Sequence, residues 1–313
     1  MTMPRCLGLD TSNYTTSVAV FDGAAGENLG RLLDVPQGAL GLRQSDALFQ
    51  HVKRLPELFG ALRDRGLLQT IEAVGASTRP RAVEGSYMPC FLAGEGQGRA
   101  IADTLGAPFF PVSHQQGHIA AAAWSAGRME LLDSPMLAWH LSGGTTELLL
   151  VEPDGVNVRA RCIGGTSDIS AGQLIDRTGV LLGLDFPAGR ALDALSREAD
   201  TQKHFHVKLN GLTFSLSGVE NQVKALCEKG ERPADVARFT LDTVAGAVRR
   251  TTAAALKEYP GLPVLCSGGV ASNSRLREQM GEAVFAEPRC SADNALGVAI
   301  LAWRSLHSGE GGL

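Results

Sequence analysis

Two segments of the chain share one hydrophobic pattern, in which a polar tip separates two apolar runs. The first consists of CLGLD, TSNYTTS and VAVFD at residues 6–22, and the second of MLAWHL, SGGTT and ELLLVE at residues 136–152. Short apolar runs bounded by Gly, Ser and Thr predict β-strands, so each segment is expected to form a hairpin. The repetition indicates an internal duplication, and the alternative is that any two hairpins share such a pattern.

Helical and extended patterns alternate over the rest of the chain. Leucines and a valine recur every three or four positions and predict an amphipathic helix from about Ser45 to Arg65. The apolar positions are Leu48, Val52, Leu55, Leu58 and Leu62. The further predicted elements are a strand at 71–78, a glycine-rich turn leading into a helix that ends at Gly106, a helix at 167–184, a strand at 263–269 running into a helix at 270–284, and a C-terminal helix. Strands that alternate with helices predict an α/β fold.

The composition is that of an ordinary folded protein. Of the 313 residues, 44% are hydrophobic and 20% are charged, and the net charge is -4. This charge gives no general attraction to nucleic acid, so any RNA contact requires a local basic patch or a partner protein. The six cysteines are scattered singly, which favours buried, reduced thiols in a cytoplasmic protein. No signal-peptide pattern and no apolar run of about 20 residues is seen, so we expect no membrane attachment.

The polar hairpin tips have the chemistry of an anion site. Backbone N–H groups in a turn of Gly, Ser and Thr form a concave site for phosphate, and a glycine pair lets the backbone approach it closely. The second tip carries Gly143 and Gly144, and a third glycine pair, Gly268 and Gly269, ends the strand PVLCSGG. Asp10 ends the first strand, where it is a candidate to hold water or a hydrated metal ion. The alternative is a pair of ordinary surface hairpins.

Two acidic residues fall in the helical pattern after the second hairpin. Asp168 and Asp176 are eight residues apart, which is a little over two helical turns, so both are expected on one side of a helix. Asp176 lies within an otherwise apolar face and is the better candidate for a ligand such as a ribose hydroxyl. Asp168 has the alternative role of a plain helix cap. Gly189 and Asp193 follow in the segment FPAGRALD.

The segment HQQGH places His114 and His118 on one face of a helix. Two imidazoles at this spacing suit a metal ion, with Asp293 or Asp10 as the third ligand. The alternative is a helix start in which His118 is half-buried and binds nothing. The spacing also matches the zinc-protease pattern H-E-x-x-H, but Gln115 stands where that pattern has its general-base glutamate, so a protease is excluded.

Six segments together resemble one family. In chain order they are HQQGHIAAA, LSGGTTELLLV, SAGQLIDRTGVLLGLDFPAG, LTFSLSGV, LCSGGVASNSRLR and CSADNALG. This order resembles the tRNA N(6)-adenosine threonylcarbamoyltransferase family, whose members were once described as O-sialoglycoprotein endopeptidases. The resemblance extends from about residue 5 to residue 303.

The resemblance implies a two-lobed fold of the actin-like ATPase superfamily with a duplicated RNase H-like core. The N-terminal lobe would comprise residues 1–112, with the final helix, about 295–313, packing back on it, and the C-terminal lobe residues 113–294. The implied metal ligands are His114, His118 and Asp293. The implied nucleotide or substrate contacts are His140, Leu141, Ser142, Gly143, Gly144, Thr145, Asp176, Gly189, Asp193, Gly268, Gly269 and Asn273.

The same resemblance implies cofactors and partners. The metal would be one divalent ion, iron or zinc, with magnesium as a further candidate, and the small ligand an adenine nucleotide or an acyl-adenylate. The threonylcarbamoyl group would pass to an adenosine next to the tRNA anticodon, and Asp10 is the candidate catalytic residue. The implied partners are tRNA, bound together with partner proteins, and a small related homologue in a heterodimer or a second copy in a homodimer.

The sequence departs from the family pattern at three places. The usual loop E-T-S-C-D-E-T is DTSNYTT here, so Asp10 keeps the first acid while Tyr14 and Thr15 replace the next two. The usual S-G-G-H-T is SGGTT, and Arg79 to Arg81 replace G-P-G. The lost groups have acid, base and hydrogen-bonding capacity. A second hypothesis is therefore a paralogue without transferase activity that acts as a nucleotide-binding subunit or on another acceptor, and a third is a sugar or acid kinase.

Overall fold

A computed structural model describes residues 3–12, 14–35, 42–290 and 295–308. The chain forms two compact units. The first contains residues 1–134, 152–160 and 292–313, and the second contains residues 135–151 and 161–291. The chain thus passes four times from one unit to the other.

Twelve strands and nine helices are present in the described residues. The strands are β1 (Arg5–Thr11), β2 (Thr15–Phe21), β3 (Gly26–Leu32), β4 (Ile71–Arg79), β5 (Phe109–Ser113), β6 (Met136–Leu141), β7 (Thr146–Asp154), β8 (Asn157–Thr166), β9 (Leu209–Asn210), β10 (Thr213–Phe214), β11 (Val264–Ser267) and β12 (Val284–Phe285). The helices are α1 (Gln44–Asp64), α2 (Phe91–Leu105), α3 (His114–Ser125), α4 (Ala171–Leu181), α5 (Gly189–Ser196), α6 (Ser217–Glu228), α7 (Pro233–Glu258), α8 (Ser274–Met280) and α9 (Leu296–His307).

The two sheets repeat one topology. The first has the strand order β3-β2-β1-β4-β5, with β1 antiparallel to β2 and parallel to β4. The second has the order β12-β11-β6-β7-β8-β10-β9, with β6 antiparallel to β7 and parallel to β11. Read from β8 to β12, the second sheet repeats the order of the first. The α/β class and the duplicated core predicted from the two hairpins are therefore confirmed.

Alternating side chains on β1 explain how the first sheet is covered on both faces. Leu7 and Leu9 pack into a cluster with Leu55 and Leu62 of α1. Cys6 lies on the opposite face in a cluster with α9. Gly8 shares the face of Cys6, and a Cβ atom there would lie 2.5 Å from the backbone oxygen of Ala295 and 2.6 Å from the backbone nitrogen of Ala299. Only glycine lets α9 approach the strand this closely.

Three local predictions were wrong. The glycine-rich stretch before Gly106, predicted to begin with a turn, is helix from Phe91 onward. Its glycines allow close packing, since a Cβ atom on Gly94 would lie 2.9 Å from Thr11 Oγ1 and one on Gly98 would lie 2.9 Å from Phe109 Cε2. The helix expected at 270–284 is only Ser274–Met280, because residues Gly269–Ser272 form a 3-10 turn. Asp168 is not helical, since α4 begins at Ala171. The hydrophobic patterns also failed to predict strands β3, β5 and β8 and helices α5, α6 and α7.

Across residues 3–12, 14–35, 42–290 and 295–308, no helix combines the length and the apolar character that crossing a bilayer requires.

Candidate functional site

The first unit places HQQGH at the start of a helix that follows directly on a strand. β5 ends at Ser113, whose side chain caps α3: its hydroxyl accepts a hydrogen bond from Gln116 N at 3.2 Å. In return Gln116 Oε1 accepts one from Ser113 N at 2.8 Å. This reciprocal pair is a capping box, and it fixes where the helix starts. His114 therefore occupies the first helical position, and His118 lies one turn further on.

The two imidazole rings converge through their Nε2 atoms. His114 Nε2 and His118 Nε2 are 2.9 Å apart, and the ring planes are nearly perpendicular at 85°. The other ring nitrogen of His114, Nδ1, lies 2.9 Å from Asp10 Oδ2. The second oxygen of that carboxylate accepts a hydrogen bond from the hydroxyl of Ser77. A chain of contacts thus runs from Ser77 through Asp10 and His114 to His118.

This donor set fits one metal ion. Imidazole nitrogens bind zinc at about 2.0–2.1 Å, so two of them on one tetrahedral ion are about 3.3–3.4 Å apart. The observed separation of 2.9 Å is a hydrogen-bond distance, and a shift of about half an ångström between the rings brings both nitrogens to the spacing of a zinc site. A carboxylate on the far nitrogen of a histidine is the usual partner that orients a metal ligand. Asp10 has that position, on the side of the ring away from His118, rather than the position of a third ligand.

The third ligand implied by the resemblance, Asp293, lies outside the described residues. Within the described ranges, no group of three or more His, Cys, Asp or Glu side chains has the arrangement of a complete metal site. The described part of the first unit therefore supplies two nitrogen donors and the carboxylate that orients one of them.

A third histidine is buried beneath the first hairpin. His51 of α1 has no exposed surface, and its Nδ1 lies 2.8 Å from the hydroxyl of Thr16. Within the described part of the chain, its Nε2 has no hydrogen-bond partner. Burial lowers the pKa of His51 to about 4, although a hydrogen bond with the backbone of Ser12 and the nearby carboxylate of Asp10 act to raise it. His51 is therefore uncharged at neutral pH.

The second unit holds the SGGT tip, residues 142–145 between β6 and β7. Two hydrogen bonds close the turn: Ser142 N donates to Thr145 O at 2.8 Å, and Thr145 N donates to Ser142 Oγ at 3.0 Å. A Cβ atom on Gly143 or Gly144 would meet no atom of the described residues within 4 Å. The backbone of this tip is thus accessible to a ligand. His140 and Leu141 precede it on β6.

Helix α4 begins directly against this tip. Its N-cap residue, Ser170, donates a hydrogen bond from its hydroxyl to Gly143 O at 2.6 Å. A Cβ atom on Gly172 would lie 2.5 Å from both Gly143 Cα and Ser142 O. The positive end of the α4 dipole is therefore next to a turn of small residues, an arrangement that favours anions. Gly268, with φ +93°, lies equally close to Leu141. A Cβ atom on Gly268 would lie 2.1 Å from the backbone oxygen of Leu141.

The remaining residues that were predicted to contact a nucleotide lie where helices α4, α5 and α8 meet, and the polar ones form hydrogen bonds between these helices. Asp193 of α5 accepts hydrogen bonds from Asn273 Nδ2 at 3.2 Å and from Ser274 Oγ at 2.7 Å. Asn273 in turn caps α8, since its Oδ1 accepts hydrogen bonds from Arg275 N and Leu276 N. Asp176 accepts a hydrogen bond from Ala188 N at 2.8 Å, next to Gly189. Gly269 begins the 3-10 turn before α8.

Asp168 caps a helix other than the one predicted. Its carboxylate accepts hydrogen bonds from Leu216 N at 2.8 Å and Ser217 N at 3.2 Å, at the start of α6, and from the hydroxyl of Ser215. These bonds hold the pKa of Asp168 well below its usual range, against the opposing effect of partial burial. Ser170, not Asp168, caps α4.

Similarity to known proteins identifies the family of this chain. Residues 45–299 match the model of the family described as tRNA N6-adenosine threonylcarbamoyltransferase. Two proteins of that description, from two strains of Thermus thermophilus, are each 35% identical over 308 residues. The matches cover 95% of this chain and 92% and 91% of those proteins. This chain belongs to the tRNA N6-adenosine threonylcarbamoyltransferase family.

Solved structures support the fold of this threonylcarbamoyltransferase-family chain. Full-length HypF, in a phosphate- and nucleotide-bound form, matches 97% of the chain with a TM-score of 0.62 and 15% identity. The match covers only 46% of HypF, so this chain spans less than half of that protein. Component A of (R)-2-hydroxyglutaryl-CoA dehydratase from Acidaminococcus fermentans matches 96% of the chain, with a TM-score of 0.55 and 16% identity. These proteins have the actin-like ATPase fold, and the chain shares it.

Proposed function

We propose that the protein is a metal- and nucleotide-binding transferase that moves a threonylcarbamoyl group from threonylcarbamoyl-adenylate to an adenosine next to the tRNA anticodon. Family membership supports the reaction class. The observation that carries the proposal is the convergence of His114 Nε2 and His118 Nε2 at 2.9 Å, with Asp10 behind His114. The proposed third ligand is Asp293, and the proposed ion is iron or zinc.

In the proposed reaction, the exocyclic amine of the adenine forms a bond to the carbamoyl carbon. The bond from that carbon to the phosphate oxygen breaks, adenosine monophosphate leaves, and the amine loses one proton. A metal ion bound at the two histidines would supply Lewis-acid polarisation of a phosphate or carbonyl oxygen. Asp10 keeps His114 oriented, and because both of its carboxylate oxygens already have hydrogen-bond partners, the leaving phosphate is the proposed acceptor of that proton.

The SGGT tip is the proposed holder of the adenylate phosphate. Accessible backbone at Gly143 and Gly144, together with the N-terminus of α4, supports this role because both favour negative charge. His140, Leu141, Ser142 and Thr145 complete the segment. Asp176, Gly189, Asp193, Gly268, Gly269 and Asn273 are the proposed ribose and adenine contacts. Magnesium is a further proposed ion at the phosphates.

The partners proposed are those of the reaction. The acceptor is tRNA, which a chain of net charge -4 would bind together with partner proteins. A small related homologue is the proposed heterodimer partner, and a homodimer is the alternative. The proposed compartment is the cytoplasm, where the substrate tRNA and reduced cysteines are found.

Nucleoside mass spectrometry tests the reaction. Purified protein is incubated with tRNA, threonylcarbamoyl-adenylate and the small homologue, and threonylcarbamoylated adenosine is measured. We expect product with the wild type and a loss of about 100-fold or more in His118→Ala, because Lewis-acid catalysis contributes several kcal/mol. His204→Ala, at an exposed histidine of the second unit, serves as the control and should retain activity. Absence of product with every partner combination contradicts the proposal.

A second candidate function is a nucleotide-binding subunit without transferase activity. It is favoured by Thr15, an uncharged residue that is only 8% exposed where the family pattern has an acid, and by Thr145, which stands in place of a histidine. The double variant Thr15→Glu, Thr145→His distinguishes the two candidates. Activity that arises in the variant from a zero baseline supports the subunit, and activity of the unmodified protein excludes it.

A further inference from the structure

The strand next to Asp10 places a buried hydroxyl group against its carboxylate. β1 and β4 are parallel, with Leu9 opposite Ala76, so Asp10 and Ser77 are the next residues on neighbouring strands. Ser77 is fully buried and Asp10 is 1% exposed. The hydroxyl of Ser77 donates to Asp10 Oδ1, while Asp10 Oδ2 faces His114 Nδ1. Each oxygen of this carboxylate therefore has a different partner.

The chemistry of a carboxylate sets the direction of its hydrogen bond to His114. An ionised carboxylate only accepts hydrogen bonds, so with Asp10 ionised it is Nδ1 of His114 that carries the shared proton. The lone pair of the neutral imidazole is then on Nε2, which points toward His118 Nε2. This tautomer is the one in which Nε2 binds a metal ion.

We propose that Ser77 is a positioning residue of the metal site: its hydroxyl group holds the Asp10 carboxylate in the rotamer that directs the Nε2 lone pair of His114 toward His118. The proposal rests on the metal site of the proposed function. Without the hydroxyl, Asp10 Oδ1 is buried and loses its donor, and the carboxylate is able to rotate about its Cβ–Cγ bond. His114 then loses the acceptor that fixes its ring and its tautomer.

The helix that carries His114 is held independently of Ser77. The capping box of Ser113 and Gln116 fixes the first turn of α3. Gln116 Nε2 also donates to Val158 O at 2.7 Å, and Gln115 N donates to Pro80 O at 3.0 Å. Loss of the Ser77 hydroxyl should therefore change the orientation and tautomer of the His114 ring and leave the helix in place.

Threonine and valine provide a matched pair for the test. They have nearly the same shape, so Ser77→Thr and Ser77→Val place the same volume in the buried position and differ by one hydroxyl group. Both are compared with wild type in the full-length, metal-free protein, and thermal unfolding checks that each is folded. Ser77→Ala repeats the comparison without added volume if the larger residues unfold the protein.

Two measurements are made on each variant. The first is zinc affinity, from competition with a chelator, and we expect Ser77→Val to bind about 10- to 100-fold more weakly than Ser77→Thr. The second is the tautomer of His114 in the metal-free protein, from ¹⁵N chemical shifts of the imidazole nitrogens. We expect the Nδ1–H form in wild type and Ser77→Thr, and a mixture of tautomers in Ser77→Val.

The outcomes separate this proposal from the metal site itself. Equal zinc affinity and the same His114 tautomer in the threonine and valine variants overturn the role of Ser77. A wild type that binds no zinc, or binds it equally in His114→Ala, overturns the metal site. In that case a tautomer that still differs between the two Ser77 variants supports the positioning role, because that measurement needs no metal.

Discussion

Burial of His51 links the stability of the first unit to pH. The pKa of this imidazole is about 4 in the folded protein, against an ordinary value of 6.5. Between these two pH values the unfolded chain binds a proton at His51 and the folded chain does not. Stability therefore falls as the pH falls from 6.5 toward 4, with a slope of up to about 1.4 kcal/mol per pH unit.

Replacing the imidazole should remove this dependence. We expect His51→Gln to lower the free energy of unfolding at pH 7, because the contact with Thr16 is disturbed, but to flatten its decline between pH 6.5 and pH 4. Denaturant unfolding at several pH values measures both effects. His204→Gln, at an exposed histidine, is the control and should keep the wild-type slope. A decline in His51→Gln as steep as in wild type contradicts the prediction.

The contacts of a functional side chain could be predicted only where its partner lies close to it in the sequence. His114 and His118 are one helical turn apart, so their spacing alone predicts a shared face. Ser77 is 67 positions from Asp10, and its role depends on the pairing of β1 with β4. A single serine in a predicted strand carries no signal of such a contact. His51 lies within the helix predicted from Ser45 to Arg65, but the pattern gives no sign that its side chain is fully buried.

At the scale of elements, the junction between α4 and the SGGT tip depends on one glycine. Gly172 lies in the first turn of α4 at the point where the helix meets Gly143. Backbone atoms of the SGGT tip occupy the space that a side chain at position 172 would need. Neither the tip nor the helix can shift to make room without a cost in free energy. The glycine of SAGQL is thus explained by packing rather than by helix formation, which glycine disfavours.

The pair Gly172→Ala and Gly246→Ala tests this explanation. We expect Gly172→Ala to lower the free energy of unfolding by about 1–3 kcal/mol through overpacking and to weaken nucleotide binding. Gly246 lies inside α7, and the nearest atom to its Cβ position is 4.0 Å away. Alanine there should instead stabilise by about 0.5–1 kcal/mol, since it is the better helix former. Denaturant unfolding measures the change in the free energy of unfolding for each variant. Changes of the same sign in the two variants would contradict the explanation.

Helix boundaries were less predictable than helix existence. The patterns gave α1 closely, because its apolar face marks it, and they placed HQQGH on a helix without giving the bounds of α3. They gave α2 too late, because glycines at 94 and 96 were interpreted as a turn. Tertiary packing against Thr11 overrides the low helix propensity of Gly94.

At the scale of the molecule, metal binding should appear as stability of the first unit. Zinc at about 100 times its dissociation constant would raise the free energy of unfolding by about 2.7 kcal/mol, or about 5–10 °C in melting temperature. We expect this rise in wild type and its loss in both His114→Ala and His118→Ala. Differential scanning calorimetry with and without zinc measures it, and His204→Ala is the control. A rise that persists in both histidine variants would show that the ion binds elsewhere.

The duplication was predictable at this scale, but the division of the chain was not. Two similar hairpins were enough to predict two similar sheets, because each hairpin supplies the antiparallel strands at the centre of its sheet. The four crossings between units were not predictable from composition. No linker marks them, and one crossing falls inside β7, between Val151 and Glu152.

The place of α9 beside Gly8 has a consequence for synthesis on the ribosome. β1 ends at Thr11 and the helix that covers it begins at Leu296, so most of the described chain is translated between the two. At about 5–20 residues per second, roughly 15 to 60 seconds separate the two. During that time the Gly8 face of the nascent sheet lacks its covering helix, while the second unit can already be completed. The sheet that contains β1 is therefore completed only after the strands and helices of the second unit have been translated.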